Sequence, residues 1–344
     1  MRWVPPGPVA VGIPVRDEAD RLPRLLDALA GQSVGANTFS VCFLLDGCSD
    51  DSEALLRAAL PTCGFDYRLA TSPLAEPNAG RARRQAMKMC LPLCEGPGSI
   101  LLTTDADSVP EPDWIEMACR ALESVDVVAG RIERTIRLMG CWRTRLEDYL
   151  DALHTQRRNV DPIAYDAVPA HPSLGGANLG FRADVYRALG GFPAFVRGED
   201  RALVAKARRE GFRVRHDPVV LVYTSNRVAG RAPGGLADEL RDQLYSELPA
   251  LVADPGVCLR HYRLQAALRA AFEAGPLAIA AAARRYGYCE IHLGEVAREA
   301  RTADAFVEIV APEDCLPQAN VLPLPAAEAA LAALTDADKV EVAA

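Results

Sequence analysis

Short apolar runs alternate with helix-patterned stretches through the first 130 or so residues, and this alternation constrains the fold more than any other feature of the chain. Val9 to Val15, Phe39 to Leu45, Phe65 to Ala70 and Ile100 to Thr104 read as buried strands, because strands covered on both faces of a parallel sheet are almost continuously apolar. Between them Leu22, Leu25, Leu26 and Leu29 recur at helical spacing and stop at Gly31. A second helix runs through Leu55, Leu56 and Ala59 behind a cap at Ser49 or Asp50, and a third through Ala82, Ala86, Met89 and Cys90 behind Asn78 or Gly80. Asp113 is expected to cap a fourth helix, with another strand beginning at Val125 to Val128. Strand, helix, strand at this pitch requires right-handed crossovers and a largely parallel sheet.

The run from Ile100 gives way abruptly to Asp105-Ala106-Asp107. Open α/β sheets bind ligands outside the carboxyl ends of their strands, so this pair places negative charge where such folds do chemistry. Two close carboxylates repel, and a divalent cation relieves the repulsion; oxygen-only donors favour Mg²⁺ or Mn²⁺. On its own the pair reads more readily as a solvated loop, where Asp is common. The other strands end in polar clusters too: Pro14-Val15-Arg16-Asp17-Glu18 and Asp46-Gly47-Cys48-Ser49-Asp50-Asp51-Ser52. All of them fall at the same edge of the expected sheet.

The formal net charge of −8 over 344 residues disfavours nucleic-acid backbone as a partner. The ten cysteines are scattered, with no Cys-x-x-Cys and no zinc spacing. Cys90 and Cys94 lie one helical turn apart, on a packed face. With no signal-peptide h-region at the N-terminus, these cysteines lead us to expect reduced thiols and a cytoplasmic location. The longest apolar stretch near a helix, Pro276 to Ala283, is too short to span a bilayer. The chain is therefore expected to be soluble, with peripheral membrane contact left open.

The second half is patterned differently. Cys141 to Arg158 reads as a polar-faced helix, Ser173 to Phe181 as a Gly-rich stretch ending in a strand, and Ala183 to Leu189 as a short helix stopped by Gly190-Gly191. A helix from Glu199 to Arg209 carries Glu199-Asp200 in its first turn, where the helix dipole favours carboxylates. Val219 to Tyr223 reads as a strand, and from Leu236 the pattern is helical and rich in Ala and Arg. Beyond Ala311 the chain is expected to be partly loose.

By this point an ordered set is on the page: Ile13-Pro14-Val15-Arg16-Asp17-Glu18, Asp46-Gly47-Cys48-Ser49-Asp50-Asp51, Gly80-Arg81-Ala82-Arg83-Arg84, Asp105-Ala106-Asp107, Gly175-Gly176-Ala177-Asn178, Gly190-Gly191-Phe192 and Gly198-Glu199-Asp200. It resembles family-2-type glycosyltransferases of the GT-A fold over residues near 9 to 228. Arg16 is a departure, since many relatives have Asn there. The resemblance implies a GT-A domain at 1–228, with a nucleotide half at about 1–110 and an acceptor half at about 111–228. A helical region at 229–344 would then act as lid, acceptor or oligomer element, with a homodimer possible. It implies a metal-dependent, inverting transfer of sugar from a UDP- or GDP-type nucleotide-diphosphate donor to an unidentified hydroxyl acceptor, with Mg²⁺ or Mn²⁺ as cofactor.

By the same resemblance Pro14, Val15 and Glu18 wall the base and ribose, and Asp46 accepts a hydrogen bond from the base imide; the alternative for Asp46 is a turn residue in Asp-Gly. Asp107 is the main metal ligand, with Asp105 acting through water or on the ribose. Arg81 and Arg84, three apart at a helix start, are expected to face the pyrophosphate, and Arg83 to lie on a solvated basic face. The small residues of Gly176 and its neighbours let a sugar or acceptor approach closely, with Asn178 either bonding a sugar hydroxyl or shaping a tight turn. Asp200 is the implied general base, and Glu199 contacts the acceptor or supports the loop. His216 is a candidate metal ligand, though a lone His near a strand end is more often structural. Arg227, or Arg231, would close over the diphosphate as a lid. His154, His261 and His292 read as structural, and Trp114 and Trp142 as core residues or sugar-stacking faces.

The rivals within enzymes are a retaining transferase and a sugar nucleotidyltransferase; the latter usually carries a Gly-rich signature where this chain has Pro14-Val15-Arg16-Asp17-Glu18. A kinase or ATPase is disfavoured by the absence of a Walker A sequence. A catalytically silent binding module is disfavoured by Asp105, Asp107, Glu199 and Asp200 occurring together.

Overall fold

The computed structural model describes residues 3–72, 78–136, 142–166, 168–225, 248–312 and 320–343. The chain forms two compact units, one of Met1–Arg137, Ser173–Lys206 and Val214–Arg241, the other of Leu138–Pro172, Ala207–Arg213 and Asp242–Ala344. This division differs from the single boundary expected near residue 228, because the segment 138–172 clusters with the C-terminal helices.

The first unit opens with the expected alternation: β1 (Val9–Val15), α1 (Leu22–Ala30), β2 (Phe39–Asp46), α2 (Ser52–Ala59), β3 (Asp66–Ser72), α3 (Ala79–Cys90) and β4 (Ile100–Thr103). It continues through β5 (Ser108–Pro110), α4 (Trp114–Ala121) and β6 (Val127–Arg134). The helix α5 (Trp142–Val160) belongs to the second unit; β7 (Leu179–Arg182), α6 (Ala183–Ala188), α7 (Glu199–Arg209) and β8 (Val214–Thr224) follow. The strands form one sheet in the order β3-β2-β1-β4-β7-β6-β8-β5. Strands β7 and β5 run against the others, which are mutually parallel. The mostly parallel α/β architecture is thus the one the alternation requires. Val11, Ile13, Val41, Phe43 and Leu101 are fully buried in its middle, as expected of strands with both faces covered.

Two features send the polar clusters to one edge. Pairing of β1 with β4 ends at Gly12↔Thr103, while pairing with β2 continues to Val15↔Leu45. Pro14 therefore sits where the β4 side of the ladder is already open, a position that tolerates a missing N–H. After Thr103 the chain crosses from mid-sheet to the sheet edge, where Ser108 pairs with Thr224 at the carboxyl end of β8. The turn at 104–107 thus lies beside the carboxyl ends of both β4 and β8.

Strand β8 is longer than the expected Val219 to Tyr223 and takes in Arg215, His216 and Asp217, with a register irregularity opposite Gly130/Arg131. Asn178 explains how that irregularity is held. Its carboxamide donates to the carbonyls of Arg131 and Val220, both at 2.8 Å, and accepts from Trp114 Nε1 at 2.8 Å. Asn178 is 2 % exposed and Trp114 fully buried. Both are core residues that tie β6, β8 and α4 together, and neither faces a sugar.

In the second unit, Tyr149 and Leu153 of α5 pack with Leu259, Tyr262, Leu324 and Leu331. Trp142, with the Arg145 guanidinium 4.6 Å from its ring, lies against the same cluster. A second cluster joins Leu268, Ile279, Ala283, Leu293 and Phe306. Arg269 ties Asp161, at 2.9 Å, to Asp304, which also accepts from Tyr165. The tail expected to be loose contains the helix Leu324–Ala343, whose Leu324 and Ala327 are fully buried; its Ala-rich composition packs closely. Among the described residues no helix is long and apolar enough to cross a membrane, and the described cysteines carry free thiols.

Asn178→Ala removes three buried hydrogen bonds and strands their partners, so it should lower unfolding stability by about 3 kcal/mol or more in urea titration. Gly80→Ala should cost about 1–3 kcal/mol by overpacking, because a Cβ there would lie 2.3 Å from the Pro193 carbonyl oxygen and 2.6 Å from that of Phe195.

Candidate active site

The carboxyl ends of β1, β2, β4 and β8, the first turns of α3 and the first turn of α7 supply the side chains of the site, all within the first unit. Asp46 ends β2 and is 3 % exposed. Its Oδ2 accepts from Arg16 Nη1 at 3.2 Å, while Oδ1 is buried without a partner among the described residues. An unsatisfied buried carboxylate oxygen is costly, and a ligand N–H would relieve it. Arg16, whose side chain is 24 % exposed, holds the other oxygen of the carboxylate. Val15 is fully buried, so its side chain belongs to the core rather than to a binding wall; its carbonyl accepts the Cys48 thiol at 3.3 Å. Pro14 stays partly accessible. Glu18 is nearly buried, its backbone N–H bonded to Ser52 Oγ at 2.9 Å and its carboxylate to Arg21.

Arg83 is the centre of the arrangement, and it reverses the expectation of a solvated basic face. It is 5 % exposed. Nε donates to Glu199 Oε1 at 3.2 Å, Nη1 to Thr103 Oγ1 at 3.1 Å and the Gly176 carbonyl at 2.8 Å, and Nη2 to Asp105 Oδ1 at 2.8 Å. Burial disfavours the cation, but Asp105 and Glu199, with Asp200 behind them, more than offset it, so the guanidinium is held firmly charged. Burial likewise pushes the Glu199 carboxyl above its ordinary range, opposed by Arg83 and reinforced by Asp200. The backbone N–H of Gly176 donates to Asp200 Oδ2 at 2.9 Å, and that of Arg201 to Oδ1 at 2.7 Å. Asp200 is half-buried. A Cβ at Gly176 would sit 2.1 Å from Arg83 Cζ, so the missing side chain makes room for the guanidinium rather than for a sugar.

Arg81 is partly exposed and Arg84 exposed, whereas Ala82 and Arg83 between them are buried. Asn78 caps α3 by accepting the Arg81 N–H at 2.7 Å. Arg84 reaches the Phe192 carbonyl at 3.1 Å. Of this basic trio, the structure brings Arg83 to the carboxylates and not Arg84. The sequence signal that could have found it is periodicity: Gly80, Arg83, Ala86, Met87 and Cys90 lie on the face that α3 turns inward.

Asp107 Oδ2 accepts from Ser225 Oγ at 2.5 Å and Oδ1 from Thr224 Oγ1 at 3.4 Å, so the carboxyl end of β8 orients it. The hydroxyls of Thr104 and Ser108, flanking the Asp105-Ala106-Asp107 turn, are buried without a partner among the described residues. The donors here are all oxygen, carboxylates above all, and such a set fits a hard divalent cation. Asp105 and Asp107 are the two carboxylates of this set, the first giving one oxygen to Arg83 and the second oriented by Thr224 and Ser225. His216 does not belong to this group. It is buried on β8 opposite Ala129, whereas Thr224 pairs with Arg134. From 129 to 134 along β6 is about 16 Å at the rise of a strand, so His216 lies at the other end of β8 from Asp107. Arg227 and Arg231 lie outside the described residues.

The family model described as glycosyltransferase like family 2 matches residues 5–236, about two thirds of the chain. No curated protein sequence matches this chain. Among solved structures, the mannosyltransferase PcManGT from Pyrobaculum calidifontis, in complex with GDP-Man and Mn²⁺, is similar at 19 % identity and a TM-score of 0.46, over 97 % of this chain and 76 % of that one. S. aureus TarS 1–349 in complex with UDP-GlcNAc is similar at 12 % identity and a TM-score of 0.49, over 89 % and 90 %. A longer S. aureus TarS chain is similar at 14 % identity and a TM-score of 0.46, over 64 % of this chain but 36 % of that one, so this chain spans about a third of its length. The family match contains every carboxylate of the edge described above together with Arg83, and by it the chain belongs to the family-2 glycosyltransferases and is a transferase enzyme.

Proposed function

We propose that this enzyme transfers a sugar from a UDP- or GDP-type nucleotide-diphosphate donor to a hydroxyl acceptor, with a divalent metal and with inversion at the anomeric carbon. The observation that carries this reading is the placement of Asp46, Asp105, Asp107, Glu199 and Asp200 along one sheet edge, with the buried cation Arg83 paired to Asp105 and Glu199. Such acidity at a strand edge suits a ligand that brings its own cation and N–H donors.

The parts divide as follows. Asp46 Oδ1, lacking a partner, accepts an N–H of the base, with Pro14 beside it. Asp107, aligned by Ser225 and Thr224, is the main ligand for Mg²⁺ or Mn²⁺, with Asp105 acting through water or on the ribose. When bound, that ion neutralises charge developing on the departing diphosphate. Asp200 is fixed by two backbone N–H groups at a helix start. It takes the proton of the acceptor hydroxyl. Attack opposite the leaving diphosphate, through an oxocarbenium-like transition state, inverts the centre. Glu199 braces Arg83 rather than meeting the acceptor. We place the enzyme in the cytoplasm, with the C-terminal helical region as lid, acceptor or oligomer element.

Calorimetry with UDP and GDP tests the donor side: binding should require Mn²⁺, and metal-independent binding or none would count against the reading. Asp46→Ala should weaken nucleotide binding by about tenfold, the worth of one hydrogen bond to a charged group. Asp107→Ala should remove the Mn²⁺ requirement together with most of the affinity. Asp200→Asn should leave nucleotide affinity intact and lower sugar-nucleotide turnover about 10²–10⁴-fold; full turnover would place the base elsewhere.

A further inference from the structure

Resting on the transfer reading above, we propose that Arg83 is a positioning residue that holds the donor-side acid Asp105 and the proton acceptor Asp200 in one fixed geometry, with the Gly176 backbone as the relay. Three segments distant in sequence meet on its guanidinium: the end of β4 through Thr103 and Asp105, the turn at Gly176, and the start of α7 through Glu199. The Gly176 carbonyl is held by Arg83 at 2.8 Å while its N–H holds Asp200 at 2.9 Å. A shift of the guanidinium therefore moves Gly176, and with it Asp200.

The arrangement needs both an arginine and a glycine. A planar fork can engage acceptors in several directions at once, whereas an ammonium is a point charge. Phe192 supports the plane from one side, its ring centroid 5.9 Å from Arg83 Cζ, and a Cβ at residue 176 would collide with it at 2.1 Å. Arg83 is itself 5 % exposed, so it acts through its neighbours and not on substrate. Among its hydrogen bonds and ion pairs it contacts neither Asp46, which carries the base, nor Asp107, the main metal ligand in the reading above; its donor-side contact is Asp105. Loss of Arg83 geometry should consequently fall mainly on the chemical step, with a smaller effect on nucleotide affinity through Asp105.

The test compares wild type, Arg83→Lys, Gly176→Ala and the double variant. Lysine keeps the buried positive charge but loses the planar fork, and alanine at 176 keeps the arginine but its Cβ displaces the guanidinium, so each perturbs the relay from a different side. UDP and GDP binding with Mn²⁺ is measured by calorimetry, whose stoichiometry counts competent sites. Hydrolysis of UDP-glucose, UDP-GlcNAc and GDP-mannose is then expressed per competent site. Each single variant should lose about 100-fold in turnover per site while nucleotide affinity stays within about threefold, as expected for a misplacement near 1 Å. The double variant should be no worse than the singles, because both break one relay. Turnover per site that stays near wild type in Arg83→Lys, or losses in the two variants that multiply, would overturn the positioning role. A wild type that binds neither nucleotide with Mn²⁺ would instead overturn the transferase reading, and this proposal with it.

Discussion

A charged guanidinium buried among carboxylates is the constraint on which the rest of the site depends. Breaking a buried pair by removing one member costs about 3–5 kcal/mol, because the remaining charge is left uncompensated. Arg83 and its acids Asp105 and Glu199 are therefore retained or lost as a set. Their mutual dependence reaches the backbone: Gly176 must lack a side chain for the guanidinium to approach, and Gly80 must lack one for the segment carrying Pro193 and Phe195 to close on the start of α3. The sheet supplies the frame, but the pairing decides which carboxylates face one another.

This accounts for what could be read from the residues and what could not. The strands were legible because burial on both faces writes itself as an apolar run, and β1 falls on Val9–Val15 as the pattern predicts. The polar edge was legible because in a parallel sheet all crossovers return the chain to the same end. Which arginine of Arg81, Arg83 and Arg84 turns inward was harder to read, since two adjacent positions differ by only 100° of helix and a charged side chain gives no hydrophobic signal. Asn178 was ambiguous for a related reason: the same carboxamide that could bond a sugar hydroxyl also satisfies three buried backbone and indole groups. His216 depended on the start of β8, and polar residues within a strand hide its boundary. The grouping of 138–172 with the C-terminal helices rests on contacts far apart in sequence, which no local pattern encodes.

The edge that results has an asymmetry useful for transfer chemistry. Asp46 and Asp107 lie outside the Arg83 network, each with its own anchor in Arg16 or in Thr224 and Ser225. Asp105, Glu199 and Asp200 lie within it. On the reading proposed above, the Arg83 network joins a donor-side acid to the proton acceptor, while Asp46 and Asp107 are anchored separately, a condition under which a site can be rigid toward the transition state without holding its donor too tightly.

The central claim is that this edge seats a nucleotide diphosphate on a metal held by Asp107. The most direct measurement is anomalous diffraction from crystals of the enzyme grown with UDP and Mn²⁺. The account predicts an Mn²⁺ peak beside the Asp107 carboxylate, bridging to the diphosphate, with the base against Asp46. A nucleotide or Mn²⁺ peak bound elsewhere on the protein would contradict it.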